Sequence, residues 1–565
     1  MKKNNRTSAG IRKTKIIITL LIVINAYSPA LWCFNSNPPK LTIVLVIDQF
    51  AQSYLNKLAP HFKFGLKYLL DHSVVYTNAI MENGQPGTAT GHACLNTGVP
   101  AGAHGFIGNT WVQNGEKIKC DYDPSPESAV LSPNGVYDHG KSAHMLMVDG
   151  ITDQCVLQST PRSPFRSYSI SLKSRSAIAT ASKLGKALWL DEKTGSFTSS
   201  KAYFDILPDW IQKFNKQQDL PNVKSVTWKR FYQKKPYAYT FSDTTNYDYV
   251  QQGESMINTS ISVPDNTNSK THYHLFMRTP HANQLLLDCA LECIRTHTSR
   301  KDKNRLLLWV CLSPLDKLVH KYGPDSIEAI DMLYHLDKQL QKFIRKTLKV
   351  VGKHQVLLAL SADHGIMPIP EILHEKGLTQ AQRINEKDFI ASINETIEKS
   401  HNISGLVTSY TNQELNINPS AFANLDRAKQ FALKQDIKKA ANAHPGIKNV
   451  WTFDELFHTY TQPNTIEDNI RKQLFPGRSG QIIIQPYPYT LVATSEYGTS
   501  HQTPYDYDTH VPLLIFHPGK FERRYVRQRV STLQLANTIA ETLNVPKPSA
   551  SMAEILPELF DPEYE

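Results

Sequence analysis

Three apolar runs that predict buried strands each end in side chains able to bind a metal ion. The runs are 41–47, 306–312 and 356–360, and segments with helical periodicity lie between the predicted strands. Strands that alternate with helices predict an α/β fold, in which a mostly parallel central sheet carries helices on both faces. In open α/β sheets ligands bind beyond the carboxyl ends of the strands, so polar residues at those ends can converge on one site.

The side chains at the strand ends are aspartates and histidines, in four short groups. The groups are Asp48, Asp316 with His320, Asp363 with His364, and His501. Mixed Asp/His ligation is typical of zinc sites that keep one position open for a substrate. The spacing of Asp316 and His320 places both residues on one face of a helical turn. Each pair alone is common by chance, but their joint occurrence after apolar strands favours a two-metal hydrolase.

A glycine-rich turn before a predicted helix contains a candidate nucleophile, Thr88, within the segment 84–98. Free backbone N–H groups and the helix dipole favour an anion at such a helix start. A threonine hydroxyl becomes an effective nucleophile when a cation lowers its pKa. Two alternatives stay open: Thr88 is simply the N-cap of the helix, or Thr90 is the nucleophile. His92 and His104 have no carboxylate nearby in sequence and are interpreted as structural.

Residues 1–33 differ from the rest of the chain. They contain six basic residues and no acidic residue, ahead of the apolar stretch 16–24, which is the pattern of a secretory signal. We therefore predict a periplasmic or secreted protein with a signal peptide or an N-terminal anchor, and membrane contact only through that segment if it is not cleaved. The segment carries six of the positive charges behind the formal net charge of +11, so the basic composition predicts no nucleic acid partner.

The cysteines permit disulfides in an exported chain. Six cysteines follow Cys33, and the sequence does not decide among their possible pairings. Cys94 and Cys311 lie in apolar runs and are expected to be buried free thiols. We predict a disulfide between Cys120 and Cys155.

The rest of the chain has an ordinary globular composition, 41% hydrophobic and 20% charged. A catalytic domain is predicted over 41–545, with a C-terminal tail at 546–565. Two segments interrupt the alternation of strands and helices, and we call about 195–280 the first insertion and about 375–490 the second insertion. Both are predicted to cap the active end of the sheet, where loops carry function.

The order of several short motifs is also informative. The motifs are Ile47-Asp-Gln49, Thr88-Ala-Thr-Gly-His92, Asn96-Thr-Gly98, the run from His104 to Trp111, Ser171-Leu-Lys-Ser-Arg175, Asp316 with His320, Ala362-Asp-His-Gly365 and Gly498-Thr-Ser-His501. This order resembles the alkaline phosphatase superfamily, in its nucleotide pyrophosphatase/phosphodiesterase-like branch, and within that branch the bacterial alkaline phosphatases with a threonine nucleophile. The resemblance runs from about 41 to 545 and is weak across both insertions. The family commonly has Thr-Gly-Pro-Gly-His at the nucleophile turn, so the geometry of that turn differs here.

The resemblance implies an alkaline phosphatase-like fold and an enzyme that hydrolyses small phosphate monoesters through a phosphothreonine on Thr88. It implies two zinc ions, one held by Asp316, His320 and His501, and the other held by Asp48, Asp363, His364 and Thr88. It implies contacts to the phosphoryl oxygens from Asn109, Lys173 and Arg175. His510 is the alternative to His501 as the last zinc ligand. Two other functions stay open: a phosphodiesterase or nucleotide pyrophosphatase on the same scaffold, and an inactive metal- or phosphate-binding protein.

Overall fold

The structure is a computed structural model and describes residues 38–131, 140–233, 237, 255–263 and 273–560. The predicted signal at 1–33 lies outside the described residues. None of the helices in those ranges has the length and apolar character that a bilayer crossing requires.

The strands in chain order are β1 (Leu41–Ile47), β2 (Val74–Ile80), β3 (Thr110–Gln113), β4 (Glu116–Lys119), β5 (Tyr122–Asp123), β6 (Gly140–Lys141), β7 (Phe165–Ser171), β8 (Lys186–Leu190), β9 (Phe197–Thr198), β10 (Ser225–Thr227), β11 (Ser260–Ser262), β12 (Arg305–Leu312), β13 (Val356–Ser361), β14 (Gln382–Asn385), β15 (Val407–Thr411), β16 (Glu414–Ile417), β17 (Ile447–Thr452), β18 (Ile482–Pro486), β19 (Thr490–Ala493), β20 (His510–Phe516), β21 (Arg524–Val526) and β22 (Val530–Ser531).

The α-helices are α1 (Gln52–Leu58), α2 (Gly65–His72), α3 (Thr88–Thr97), α4 (Ala101–His104), α5 (Ile151–Leu157), α6 (Ser174–Ala181), α7 (Asp209–Gln218), α8 (Pro280–His297), α9 (Pro314–Tyr322), α10 (Ile327–Val351), α11 (Pro370–Glu375), α12 (Glu386–His401), α13 (Pro419–Ala423), α14 (Arg427–Asn442), α15 (Phe453–His458), α16 (Ile466–Gln473), α17 (Asp506–Thr509) and α18 (Gln534–Leu543).

A ten-stranded sheet lies at the centre, in the order β21-β2-β20-β13-β1-β12-β7-β8-β9, with β22 beside β2. β1 is parallel to both β12 and β13, and β7 is parallel to β12 and β8. β20 runs antiparallel to its neighbours β13 and β2. The sheet is therefore mostly parallel, as predicted.

Side chains of the central strands alternate between two hydrophobic layers. In β1, Leu45 and Ile47 pack with helices α1, α2, α8 and α10, whereas Val44 and Val46 pack with helices α3, α5 and α18. Successive side chains of a strand point to opposite faces, so a strand covered on both sides is apolar throughout. Every residue of β1 is buried. The predicted arrangement of helices on both faces is confirmed.

The second insertion contains a four-stranded antiparallel sheet in the order β15-β16-β18-β17, with α12 and α14 packed in its core. The turn between β15 and β16 is Asn412–Gln413, and both residues have a φ of 55°. Asn412 Nδ2 donates a hydrogen bond to the carbonyl of Thr110 at 2.7 Å. The turn therefore contacts the segment that contains Asn109. The capping role of the second insertion stays a prediction.

The first insertion packs, in its described residues, against the flanking helices. Trp228 is fully buried, and its Nε1 donates to Asp331 Oδ2 of α10 at 2.7 Å. Met256, Ile257 and Ile261 lie in the same hydrophobic layer as α8 and α10. The domain boundaries and the capping role of this insertion stay predictions.

The predicted disulfide between Cys120 and Cys155 is wrong, because both residues are free and buried. Cys120 packs in a cluster with Trp111 and Ala177, whereas Cys155 packs in the layer that contains α18. The two thiols therefore belong to different parts of the core. Cys94 and Cys311 are buried and free, as predicted.

A buried carboxyl group in the second insertion makes stability depend on pH. Glu414 in β16 accepts a hydrogen bond from the backbone N–H of Gly480 at 2.7 Å, and burial raises its pKa to about 8. The folded state therefore keeps a proton that the unfolded state releases near the ordinary pKa of 4.5. The bound proton stabilises the folded state fully below the ordinary pKa of 4.5, and this stabilisation is lost as the pH rises through the folded-state pKa of about 8.

Glu414→Gln keeps an acceptor for Gly480 and removes the titration. We expect its free energy of unfolding to decline less than that of the wild type between about pH 5 and about pH 8.5, as measured by chemical denaturation. Glu395→Gln, at an exposed position on α12, is the matched control. A decline in Glu414→Gln as steep as in the wild type would contradict the assignment.

Candidate active site

The predicted ligands converge at the carboxyl end of the central strands. Asp48 directly follows β1, Asp363 follows β13, and Asp316 lies in the first turn of α9 after β12. Ile47 pairs with Leu312, so β1 and β12 end at the same level. Because β1 is hydrogen-bonded to β12 on one side and to β13 on the other, the three aspartates meet beyond one edge of the sheet.

One group of potential metal ligands consists of Asp316, His320 and His501, whose ligand atoms lie within 4.8 Å of one another. Asp316 Oδ1 is 3.1 Å from His320 Nε2 and 4.0 Å from His501 Nε2. Each histidine places Nδ1 2.9 Å from a backbone carbonyl, of Thr499 for His320 and of Pro86 for His501. Holding Nδ1 on a carbonyl leaves Nε2 for a metal ion, as in known metal sites.

The second group is formed by Asp48, Asp363 and His364, with Asp316 beside them. His364 Nε2 lies 3.5 Å from Asp48 Oδ1 and 3.6 Å from Asp363 Oδ2. Ligand atoms of Asp48, Asp316 and His364 also lie within 4.8 Å of one another. Asp48 Oδ1 and His364 Nε2 are buried and lack a hydrogen-bond partner among the described residues. Buried polar atoms of this kind are costly unless they are paired, so this donor set fits a bound cation.

His501 rather than His510 lies at the site. The His501 ring stacks on His364 with a centroid distance of 3.6 Å, and burial lowers its pKa well below the ordinary value. A neutral imidazole is the form that binds metal ions. His510 begins β20, and its Nε2 is hydrogen-bonded to the carbonyl of Thr77 at 3.0 Å.

His501→Ala is therefore expected to lose one of two bound zinc ions, whereas His510→Ala is expected to keep both. Of these two histidines, His501 directs a ring nitrogen at Asp316, whereas His510 directs one at the carbonyl of Thr77. Zinc per protein chain, measured by mass spectrometry after equilibrium dialysis, checks this. Loss of zinc in His510→Ala alone would move the ligand to His510.

Thr88 is the first residue of α3 and is 1% exposed. The N-cap of this helix is Gly87, so the structure does not use Thr88 as the cap. Thr88 Oγ1 accepts a hydrogen bond from Lys173 Nζ at 3.3 Å. Thr90 Oγ1 is buried and has no hydrogen-bond partner in the described part of the chain. The geometry therefore favours Thr88 as the reactive hydroxyl.

Lys173 lies at the centre of the site. Its Nζ donates to Asp48 Oδ2 at 2.6 Å, to Asp316 Oδ2 and to Thr88 Oγ1. Burial alone would lower the pKa of Lys173, but Asp316 and Asp48 raise it above its ordinary value. The ammonium therefore persists at alkaline pH, next to the candidate nucleophile.

The other two predicted substrate contacts are Asn109, which touches the start of α3, and Arg175, two residues after Lys173. Asn109 Oδ1 accepts a hydrogen bond from the backbone N–H of Ala89 at 3.0 Å, which leaves its Nδ2 as a donor. Arg175 is in the first turn of α6, and its buried Nε finds no hydrogen-bond partner within the described ranges. A guanidinium is able to form two parallel hydrogen bonds to an oxyanion.

Two residues that position the ligands received no such role from sequence reasoning. Gln49, with a φ of 69°, donates its backbone N–H to Asp363 Oδ1 at 3.1 Å and its side-chain amide to Asp316 Oδ1 at 3.2 Å. His92 Nδ1 lies 2.7 Å from the Thr88 carbonyl and 3.1 Å from Asp363 Oδ2. For Gln49, its position directly after Asp48 at a strand end could have indicated a positioning role. For His92 the sequence offers no such signal, because the carboxylate that it contacts is remote in sequence.

A glycine lies where the start of α3 comes closest to the segment that contains Asp363. A Cβ on Gly91 would lie 2.0 Å from the carbonyl oxygen of Asp363, so the backbone of α3 contacts the ligand segment directly. Ala89 and Thr90, the residues that depart from the family pattern, precede this contact. The departure therefore leaves the closest approach between α3 and Asp363 intact.

Comparisons with known proteins agree with this architecture. The chain matches the family described as type I phosphodiesterase / nucleotide pyrophosphatase over residues 42–511. The alkaline phosphatase PhoV of Synechococcus elongatus is 28% identical over 92% of this chain and 93% of its own length. A protein of Myroides odoratus named calcium-transporting ATPase is 27% identical over 93% of this chain and 95% of its own length.

A third relative, the alkaline phosphatase PafA of Elizabethkingia meningoseptica, is 26% identical over 92% of this chain and 94% of its own length. The crystal structure of wild-type PafA matches with a TM-score of 0.82 at 24% identity, and covers 93% of this chain and 100% of that chain. The structural match confirms the predicted fold. Since the family match spans most of the sequence, the chain belongs to the type I phosphodiesterase / nucleotide pyrophosphatase family.

Proposed function

We propose that this protein is an exported, zinc-dependent phosphate monoesterase that forms a phosphothreonine on Thr88. The observation that carries the proposal is the position of Thr88 Oγ1, at the N terminus of α3 and 3.3 Å from Lys173 Nζ, beside two Asp/His groups. The names of PhoV and PafA support phosphate ester hydrolysis as the reaction class. The composition of residues 1–33 supports export.

The site residues have distinct roles in this reaction. Asp48, Asp363, His364 and Thr88 would hold one zinc ion, and Asp316, His320 and His501 the other. The bound ions would supply positive charge to the attacking and departing oxygens. Thr88 Oγ1 attacks phosphorus in line with the departing alcohol, and water then cleaves the phosphothreonine and restores the hydroxyl.

Three donors are arranged for the non-bridging oxygens: Lys173 Nζ, the Arg175 guanidinium and Asn109 Nδ2. A phosphate monoester presents three such oxygens with up to two negative charges, whereas a diester presents two oxygens with one charge. Two cations beside the nucleophile therefore favour the monoester.

A phosphodiesterase or nucleotide pyrophosphatase is the second candidate, and the description of the matching family favours it. Both reactions use the same nucleophile and the same metal groups. They differ in the substrate. On the phosphorus that is attacked, a diester carries a second ester group and a pyrophosphate carries a further phosphate, whereas a monoester carries neither. The name of the Myroides odoratus relative makes ATP a further substrate to test.

The test compares initial rates of the purified, zinc-loaded protein on p-nitrophenyl phosphate, bis-p-nitrophenyl phosphate and ATP. We expect kcat/KM to be highest for the monoester, by about tenfold or more. A higher value for the diester or for ATP would favour the second candidate. No turnover of any of the three by protein with a full zinc content would identify a binding protein.

A further inference from the structure

A pocket of about 290 Å³ adjoins the site on the side of His501. Its lining includes His501 and Gln502 from the loop that carries the zinc ligand, and Glu386, Tyr410 and Gln413 from the second insertion. The volume is close to the lower limit of about 300 Å³ for small-molecule pockets, so the space suits a small ligand. His501 therefore belongs both to the pocket and to the candidate active site.

Gln502 connects this pocket to the nucleophile. Its φ is 91°, in a region that residues other than glycine rarely occupy and that costs about 1–3 kcal/mol. A Cβ on Gly87, the residue before Thr88, would lie 3.7 Å from Gln502 Nε2. One residue of the pocket lining therefore lies next to the nucleophile turn, and a strained backbone at such a place is typical of functional loops.

Among the described residues that line the pocket, Glu386 is the only carboxylate. Arg383, the other charged residue in the lining, is paired with Glu371 through hydrogen bonds of 2.6 and 3.0 Å and also donates to the carbonyl of Gly498 at 2.8 Å. Glu386 lies in the first turn of α12 and makes no ion pair with the residues that the structure describes. Lys117 and Lys387 act on Glu386 electrostatically, but neither lines the pocket.

We propose that this pocket binds the alcohol part of the phosphate ester, and that Glu386 selects alcohols that carry a positive charge over those that carry a carboxylate. The inference rests on the proposed function, in which the alcohol oxygen departs beside the group that contains His501. Tyr410 and Tyr497 line the same space, and an aromatic ring whose face meets the ligand attracts a cationic ammonium group. An alcohol with further phosphates would be repelled by Glu386 in the same way.

The experiment compares two small substrates of similar size, phosphoethanolamine and phosphoglycolate, with the zinc-loaded full-length protein. We expect the wild type to have the higher kcat/KM for phosphoethanolamine. Glu386→Gln should reduce the ratio of the two values about tenfold, because one substrate loses an attraction and the other loses a repulsion. Asp388→Asn removes a charge from an exposed position on the same helix, and its ratio should equal that of the wild type.

Inhibition of p-nitrophenyl phosphate turnover by free ethanolamine and by free glycolate gives a second measurement on the unmodified protein. Ethanolamine should inhibit at the lower concentration. An equal ratio of kcat/KM in Glu386→Gln and the wild type, or stronger inhibition by glycolate, would overturn the role of the pocket and leave the proposed function standing. No turnover of any monoester would instead overturn the proposed function itself.

Discussion

Thr88→Ala is expected to reduce phosphate monoester turnover by about 10⁴-fold or more and to leave both zinc ions bound. Only the nucleophile is lost, because the Asp and His side chains of both metal groups remain in place. Thr88 begins α3 without serving as its cap, so alanine should leave the helix intact. Steady-state rates and zinc content, measured on the same preparation, check this expectation.

Thr90→Ala is the matched control, since Thr90 Oγ1 has no hydrogen-bond partner among the described residues. It should keep most of the turnover. Acid quenching of the wild type during turnover, followed by peptide mass spectrometry, should find phosphate on Thr88. Phosphate on Thr90 would overturn the assignment.

The double change Lys173→Ala/Arg175→Ala is expected to lower monoester kcat/KM by about a hundredfold or more, a loss of about 3 kcal/mol of transition-state stabilisation. Both cations lie beside the nucleophile segment, and the monoester carries more charge than a diester. Diester turnover should therefore change much less. The measurement is kcat/KM for a monoester and a diester with the same leaving group.

The structure adds a control to this experiment. Lys173 also pairs with Asp48 and Asp316, so its removal leaves two buried carboxylates without that partner, and zinc content must be measured alongside the rates. Arg175→Ala alone avoids this complication, because Nε of Arg175 has no hydrogen-bond partner in the described ranges. Equal losses for monoester and diester would contradict the monoesterase assignment and favour the phosphodiesterase.

Much of the fold was predictable because its central strands are apolar throughout and end in charged residues. The run Leu41–Ile47 is buried on both faces and is followed by Asp48, and parallel strands bring such ends together whatever lies between them in sequence. The seven ligand positions of the resemblance accordingly fall in one place. Their roles in binding zinc and substrate stay predictions.

Other features could not be predicted because they depend on tertiary contacts. Nothing in the apolar run of β20 distinguishes an antiparallel strand from a parallel one. Gln49 and Gln502 have a positive φ. Glutamine usually avoids this backbone conformation, so the sequence does not indicate it. His92 was judged by its sequence neighbours, whereas its carboxylate contact comes from Asp363, on another strand end. The Cys120–Cys155 prediction failed because cysteine count carries no information on distance.

The free cysteines bear on how the chain acquires its structure. Burial raises the pKa of the thiols of Cys94, Cys120 and Cys155, so each is held as an unreactive neutral group. In the described part of the chain these residues are free thiols within the packed core. Folding of this part should therefore proceed equally well in a reducing cytoplasm and in an oxidising compartment, with no need of a disulfide isomerase. Its thermal unfolding should be indifferent to added reductant.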